Sequence, residues 1–352
     1  MNDTKISLRQ QKILELLQKT PKGLTRAELE HQLVLSKIEL SKVTLIRDLN
    51  ELLDLDFLKT AGVGKATTYI YSTHQLLPFV DLGEYFSYDI DERIIHGSFS
   101  DEVFSLFSGV FSKEELGSFT ELNANYLANI TELSLDIYRK ELERFVIELS
   151  WKSSKIEGNT YSLLETEALI KEARKAAGHS DEEAQMILNH KKAFDIIVEN
   201  KQDFKKLSLK NIFDIHQALT EKMGVTKGVR KNQVGITGTK YHPLASSWQL
   251  REALEKLVKE INALKHPFEK AFLAVSGISY IQAFGDGNKR TARLLANAVL
   301  LAHDWAPLSY RNVDEIEYKQ AMLLFYEQHN LYHLKRIFSE QFVFVIENYF
   351  RK

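Results

Sequence analysis

The stretch "FGDGNKRTAR" carries residue types that could bind and transfer a phosphate group. Gly285 and Gly287 let the backbone come close to a ligand, because glycine has no side chain to obstruct the approach. A helix predicted to start near Thr291 would aim free N–H groups and its positive dipole end at an anion. These features predict a phosphate-binding turn.

Four side chains of the same turn add to this chemistry. Asp286 supplies the hard oxygen ligand that Mg²⁺ prefers. Asn288 can donate a hydrogen bond to a developing oxyanion, while Arg290 and Arg293 share a helix face and can clamp phosphates. A solvated loop that caps a buried helix would explain the glycines but not these four side chains.

This turn resembles the core motif of the Fic/Doc family, His-Pro-Phe-x-Asp/Glu-Gly-Asn-Gly/Lys-Arg-x-x-Arg. The matching residues are Phe284, Asp286, Gly287, Asn288, Arg290 and Arg293. The resemblance implies that the chain transfers AMP from ATP, with Mg²⁺, to a hydroxyl of a target protein or of itself. It also implies catalytic roles for Asn288 and Arg293, a metal ligand in Asp286, and a nucleotide site formed by Gly285, Gly287, Asn288, Lys289, Arg290, Arg293 and Tyr318.

The chain departs from the family at the catalytic base. The family's histidine falls on Gln282 and its proline on Ala283. A glutamine amide forms hydrogen bonds but cannot take up a proton, and a positioned general base is worth roughly 10²–10⁴-fold in rate. Nucleotide and metal binding should therefore persist, while transfer of AMP is strongly slowed or replaced by another reaction. Two compensations are open: His242 as the base, or Glu157 acting on a water to remove AMP.

A second family element lies in "SSKIEGNT", which is similar to the inhibitory motif Ser/Thr-x-x-x-Glu-Gly/Asn. Ser153 and Glu157, four residues apart, share one helix face, and Gly158 can end that helix. In the family the glutamate pairs with the second arginine, here Arg293, and blocks the seat of the γ-phosphate. An ordinary surface helix is the alternative for this motif taken alone.

The segment "IFDIHQALTEKMGVTKGVRKNQVGI" resembles the helix and flap that precede the motif in Fic domains. There Val234, Gly235 and Ile236 would form a hairpin strand that docks the target by β-augmentation. Lys289 stands where Doc-type kinases carry lysine, so a kinase is a third alternative, although Arg293 and the inhibitory motif argue against it.

The composition of the 352-residue chain is that of an ordinary globular protein, with 44% hydrophobic residues and a net charge of −2. This balance gives no general attraction to nucleic acid or membrane. The absence of cysteine excludes disulfides and a cysteine nucleophile. No signal peptide or membrane span is predicted, and we expect a cytoplasmic protein with no membrane partner.

Residues 1–75 resemble a winged helix-turn-helix. Capping boxes at Ser7 and Thr25 and a third helix from near Ser41 precede an alternating segment with a Gly62–Gly64 turn, typical of a hairpin. Eleven Lys and Arg oppose nine Asp and Glu, and Asp48 and Glu51 lie on the third helix itself. DNA binding through this module and its use for protein contacts, including a homodimer, both remain open.

The predicted fold is mainly α: a Fic helical core with a β-hairpin flap, plus a small α/β winged-helix domain at the N-terminus. We predict four segments: 1–75, the winged helix-turn-helix; 76–200, a linker and helical region with the inhibitory motif; 201–310, the Fic core; and 311–352, a helical extension. The predicted function is AMP transfer restrained by Glu157. The alternative is a silent, nucleotide-binding transcriptional regulator.

Overall fold

The protein is described by a computed structural model over residues 7–18, 20, 22–36, 38, 40–54, 57–62, 64–71, 77, 79–93, 95 and 97–351. It divides into two compact units, Met1–Ser87 and Tyr88–Lys352. The first unit extends beyond the boundary predicted at residue 75. Pro78, predicted to lie in a linker, falls outside the described residues, but the later part of that linker forms a short helix, α4 (Leu82–Tyr85).

Besides the short α4, the described part of the first unit contains three longer helices and a small antiparallel sheet. The helices are α1 (Leu8–Gln18), α2 (Arg26–Leu35) and α3 (Lys42–Asp54), and the strands are β1 (Leu24–Thr25), β2 (Leu58–Ala61) and β3 (Thr68–Tyr71). The sheet order is β1-β3-β2. The predicted hairpin of β2 and β3 is present. Strand β1 was not predicted, because two residues are too short to show an alternating pattern.

Both predicted capping boxes of the first unit are present. The hydroxyl of Ser7 accepts from the N–H of Gln10 at 3.2 Å, and the Gln10 side chain accepts from the N–H of Ser7 at 2.8 Å. Thr25 and Glu28 form the same reciprocal pair at α2. These bonds satisfy N–H groups that the first turn of a helix leaves unpaired. Leucine and isoleucine side chains of the three helices then form the core of the unit.

The second unit is helical. Its α-helices are α5 (Lys113–Glu132), α6 (Leu135–Ile156), α7 (Leu163–Glu172), α8 (Asp181–Glu199), α9 (Leu209–Leu219), α10 (Ser247–Ala263), α11 (Pro267–Ile281), α12 (Asn288–Ala302), α13 (Glu315–Gln328) and α14 (Tyr332–Asn348). Short 3₁₀ helices span Asp101–Phe107 and Lys201–Phe204. Helices α11 and α12 are buried along almost their whole length, so the turn between them is set in the centre of the unit.

The predicted β-hairpin flap is absent, which corrects the expected fold class. Residues 227–244 are all described and contain no strand; one parallel bridge joins Ser98 to His242. The buried guanidinium of Arg230 holds the loop instead, donating to the backbone carbonyls of Asn232, Leu244 and Gln282. Side-chain bonds to carbonyls thus replace the backbone ladder of a hairpin.

None of the helices in the described part of the chain has the length and apolar character needed to cross a membrane.

Candidate active site

The site is built on the sharp turn that joins α11 to α12. Helix α11 ends at Ile281 and is capped by Gln282, whose backbone is left-handed at φ 52°, and α12 begins after Gly287 at φ 80°. A Cβ atom at Gly287 would lie 3.2 Å from the methyl carbon of Thr220. Glycine is needed there for both its backbone angle and its closeness to α9.

Asn288 braces this turn from inside. Its Nδ2 donates to the carbonyl of Phe284 at 2.8 Å, and its Oδ1 accepts from the N–H of Phe284 at 2.9 Å. At least one amide hydrogen is therefore used to shape the turn, and the predicted oxyanion role of Asn288 stays a prediction. The first N–H groups of α12, which have no partner within the helix, offer further donors to an anion.

The acidic side chain of the turn lies at its mouth. Asp286 is 57% exposed and accepts from the guanidinium of Arg290 at 2.8 Å, with Arg290 itself 1% exposed. Its other oxygen accepts from the N–H of Gly287 at 2.6 Å. These bonds aim a single carboxylate toward the opening.

The side chain of Arg293 is fully buried and held by α6. Its Nε donates to the Ser153 hydroxyl at 3.0 Å, one terminal nitrogen donates to the Ser153 carbonyl at 2.8 Å, and the other donates to Glu157 Oε1 at 2.9 Å. The sequence predicted this meeting of Ser153, Glu157 and Arg293, and the structure brings the three together.

Glu157 reaches the turn because α6 ends there. Glu157 is the C-cap that follows the last helical residue, Ile156, and Gly158 comes next with φ 100°. The N–H of Gly158 bonds to the carbonyl of Lys155, and the N–H of Asn159 bonds to that of Ser154. This pair of bonds is a Schellman motif, which requires the left-handed conformation that glycine adopts most easily.

The carboxylate of Glu157 stays ionised although most of it is buried. Burial raises the pKa of the Glu157 carboxyl, but the positive charges of Arg293 and Lys289 outweigh it and hold this pKa below its ordinary value. Lys289 Nζ lies 3.7 Å from Glu157 Oε2. Two cations that could bind phosphate are thus occupied by one carboxylate.

Gln282 occupies the position expected for a base and is 8% exposed. Its Nε2 donates to the carbonyl of Ser279 at 2.6 Å and lies 3.5 Å from the hydroxyl of Tyr326. No described residue donates to Gln282 Oε1, and this atom is not fully buried. The amide oxygen can accept a hydrogen bond from a bound hydroxyl but cannot remove its proton.

His216 was not predicted and supports the turn from α9. Its ring stacks on Phe284, with centroids 3.7 Å apart, and its Nε2 lies 3.0 Å from the carbonyl oxygen of Asp286. Burial lowers the pKa of His216, so the neutral ring donates from Nε2 to that carbonyl. The only sequence signal was a histidine in the helix before the loop.

A small cavity opens over the turn, with a volume of about 130 Å³. Its lining residues are Glu157, Val234, Gly235, Gln282, Phe284, Gly285, Asp286, Gly287, Asn288 and Lys289. Pockets that hold nucleotide-sized ligands usually measure about 300–1,000 Å³. With Glu157 in place, the cavity is smaller than that range.

Six residues that the sequence predicted for the site do not line this cavity: Ser153, Ile236, His242, Arg290, Arg293 and Tyr318. Ile236 and His242 lie on the same loop as Val234 and Gly235 but outside the lining. Tyr318 is buried, and the guanidinium carbon of Arg293 lies 5.7 Å from its ring centroid. The contact supports Arg293 from behind, and a nucleotide-binding role for Tyr318 remains a prediction.

The residues present fit Mg²⁺ only together with a phosphate ligand. Among the described residues, no cluster of three or more His, Asp or Glu side chains could hold a metal ion. Two carboxylates line the cavity: Glu157, which Arg293 and Lys289 hold, and Asp286, which is the more exposed of the two. Mg²⁺ bound with nucleotides takes one or two carboxylates and completes its shell with phosphate and water, so Asp286 suits that arrangement.

Comparison with known proteins agrees with this geometry. The model of the Fic/DOC family matches residues 206–300, which include α9, the loop, α11 and the turn. The chain contains a Fic/DOC family domain. Its relatives include the protein adenylyltransferase Fic of Aedes aegypti, 29% identical over 191 residues, and that of Nematostella vectensis, 28% identical over 177 residues.

These matches cover 52% and 48% of this chain and 37% and 40% of the two relatives. The chain therefore spans well under two thirds of the length of these relatives. Among solved structures, Fic-1 of C. elegans (residues 134–508) aligns with a TM-score of 0.57 at 18% identity, over 70% of this chain and 80% of that one.

A Fic domain containing signaling protein of Bacteroides thetaiotaomicron aligns with a TM-score of 0.56 at 18% identity, over 65% and 94% of the two chains. At such identities the likeness concerns the fold of the Fic domain.

Proposed function

We propose that the Fic domain transfers AMP from ATP to a protein hydroxyl and that Glu157 restrains it. The observation that carries this proposal is the contact of Glu157 with Arg293 at the phosphate-binding turn. A buried arginine of the helix that follows the turn, held by a cavity-lining carboxylate, is the arrangement expected of a phosphate-binding group that is occupied until the carboxylate withdraws. Relatives that bear the name protein adenylyltransferase support the reaction type.

The turn supplies the groups that would hold the triphosphate. Asn288 and Lys289, the first residues of α12, line the cavity, where the helix dipole favours negative charge. Arg293 becomes available to the γ-phosphate once Glu157 withdraws. When bound, Mg²⁺ at Asp286 would neutralise part of the phosphate charge.

The transfer itself is an attack of a hydroxyl oxygen on the α-phosphorus, with pyrophosphate leaving. Gln282 Oε1 can orient the hydroxyl by accepting its hydrogen bond, and the proton then passes to water rather than to a side chain. Positioning and electrostatic stabilisation persist without a base. The rate should therefore be low, by roughly 10²–10⁴-fold relative to a site with histidine.

Labelled ATP tests this function directly. Full-length wild type and Glu157→Gly are incubated with Mg²⁺ and ATP labelled either at the α- or at the γ-phosphate. Transfer of the α-label, stronger in Glu157→Gly, is the expected result. Transfer of the γ-label would instead indicate the kinase to which Lys289 points, and no label from either ATP would leave the domain without transferase activity.

A nucleotide-responsive DNA-binding regulator is the second candidate. Helix α3 exposes Lys42, Val43 and Arg47, while the acidic Asp48 of the same helix is buried and paired with Arg9 at 2.8 Å. The exposed Glu51 and Asp54 balance these two cations, so burial of Asp48 makes the outward face of α3 neutral rather than negative. Lys42 and Arg47 would supply the phosphate contacts that DNA binding requires. Fluorescence anisotropy with duplex DNA at two salt concentrations tests this: absence of binding at low salt would exclude it.

A further inference from the structure

The loop that borders the cavity has an unusual charge pattern. From Lys222 to Arg251 the sequence contains six Lys and Arg residues and no Asp or Glu, although the whole chain carries 48 acids against 46 bases. This acid-free segment, residues 222–251, begins after α9, contains the loop over the turn and ends within α10. The charge of +6 thus belongs to the part of the chain that contributes Val234 and Gly235 to the cavity lining.

Three lysines of the acid-free segment, Lys222, Lys227 and Lys231, form no ion pair with a described residue, and the last two flank Arg230 in the loop. Lys227 and Lys231 are exposed, and no carboxylate of the described residues lies within 4 Å of either ammonium group. The nearby Glu221 is paired with Lys192, and Lys240 is paired with Asp91. The positive charges at 227 and 231 are therefore available to an external partner.

Arg230 fixes these lysines relative to the cavity. It is 5% exposed, lies between them in sequence and bonds through Nε to the carbonyl of Gln282 at 2.7 Å. Lys231 precedes the cavity-lining Val234 by three residues, a span of at most about 11 Å. Both lysines lie within three residues of Arg230, so their backbone is anchored to the turn that forms the site.

The same loop offers an unpaired backbone and an apolar anchor. No hydrogen-bond partner for the N–H and C=O groups of residues 233–237 lies in the described part of the chain. Trp248 is 69% exposed and follows Leu244, whose carbonyl accepts from Arg230. Free backbone suits an extended polypeptide, and exposed tryptophans are frequent anchors of protein contacts.

We propose that the acid-free segment selects target proteins whose acceptor hydroxyl lies in an acidic segment, through Lys227 and Lys231. The inference rests on the proposed function, since it names the class of substrate for the same site. The lysines act as specificity determinants: they attract and orient the acidic segment but touch no reacting atom. Exposed charges of this kind chiefly set binding and its salt dependence.

The probes are two fluorescein-labelled peptides of equal length, each with one central tyrosine, flanked by glutamates in one and by lysines in the other. Anisotropy with full-length Glu157→Gly should show the acidic peptide binding at least about tenfold more tightly at low salt. The double change Lys227→Glu/Lys231→Glu should remove this preference. Lys205→Glu/Lys206→Glu reverses two exposed charges outside the segment and should keep it.

In the Gln282→His/Glu157→Gly background, the same reversal at 227 and 231 should raise KM for the acidic peptide and leave kcat unchanged. A purely structural defect would lower kcat as well and would overturn the proposal. Equal binding of both peptides would also overturn it. A single-stranded DNA of equal charge that binds as tightly as the acidic peptide would show a general polyanion surface instead.

Calorimetry with ATP on each variant separates the two proposals. If ATP binds normally and the peptide preference is absent, the acidic-target inference fails while the proposed function stands. If ATP does not bind but the preference for the acidic peptide remains, the proposed function fails. The acid-free segment would then bind acidic peptides in another role, and the inference that they are substrates would be overturned.

Discussion

At the scale of single residues, the identity of residue 282 decides how fast the site can work. Gln282 keeps the turn intact, since its backbone carbonyl still accepts from Arg230 and its amide bonds to Ser279. What it lacks is a proton-accepting atom. The missing function is therefore confined to one side chain, which can be restored.

We expect Gln282→His in the Glu157→Gly background to raise self-labelling by about 10²–10⁴-fold, the usual worth of a general base. The rate should rise with pH near 6.5, the ordinary pKa of histidine. Quantitative labelling with α-labelled ATP measures both. Adding Asp286→Ala should abolish the gain through loss of the metal ligand. An unchanged rate with intact ATP binding would mean that the base was not the limiting defect.

The restraint by Glu157 should not depend on pH near neutrality. The folded-state pKa of Glu157 lies below its ordinary value of 4.5. A depressed carboxyl pKa contributes stability that is present above the unfolded value and is lost as pH falls through the folded value. The ratio of labelling by Glu157→Gly to wild type should therefore be constant between about pH 6 and 9; a ratio that changes across this range would contradict the pairing.

Much of the residue-level site was predictable because it depends on spacing. Ser153 and Glu157 share a helix face by their four-residue separation, and the motif resemblance paired them with Arg293. The hydrogen bonds of Asn288 to Phe284 and the stacking of His216 were not predictable, since both depend on how α9 packs against the turn. The sequence alone does not show which of several nearby partners a side chain will bond to.

At the scale of elements, the end of α6 determines where Glu157 lies. Gly158 at φ 100° should not tolerate a Cβ without strain, so Gly158→Ala should lower the unfolding temperature by about 2 °C, equivalent to about 1 kcal/mol. It should also raise α-label transfer by shifting Glu157. Differential scanning fluorimetry and the labelling assay give the two readouts.

Gly117→Ala is the matched control for this prediction. Gly117 lies inside α5, where an added Cβ meets nothing within 4 Å. Alanine favours helix over glycine by about 1 kcal/mol, so this change should stabilise the protein and leave labelling unchanged. If Gly158→Ala had the same unfolding temperature and the same low α-label transfer as wild type, the end of α6 would not be what positions Glu157.

The loop between α9 and α10 shows where element prediction failed. A hairpin was expected from family resemblance, yet the loop is held by the Arg230 guanidinium and by contacts with Arg93 and Ser98. Arginine bonds to carbonyls leave no periodic signature in the sequence. Helices, by contrast, were predictable from capping boxes and apolar spacing, as at Ser7 and Thr25.

At the scale of the whole molecule, the two units have separate cores. All residues of the candidate active site belong to Tyr88–Lys352. We therefore expect a protein consisting of residues 88–352 with Glu157→Gly to bind ATP with Mg²⁺ as tightly as the full chain carrying the same change. Calorimetry measures this. A large loss of affinity after removal of residues 1–87 would show that the first unit contributes to the nucleotide site.

The central claim is that Glu157 occupies an arginine which ATP needs, and calorimetry of ATP with Mg²⁺ tests it most directly. Three full-length proteins suffice: wild type, Glu157→Gly, and Glu157→Gly with Arg293→Ala. A charge-assisted hydrogen bond is worth about 1.5–3 kcal/mol, so Glu157→Gly should bind ATP about 10- to 100-fold more tightly than wild type. Removing Arg293 should abolish that gain. Equal affinity of wild type and Glu157→Gly, or a gain that survives the loss of Arg293, would contradict the account.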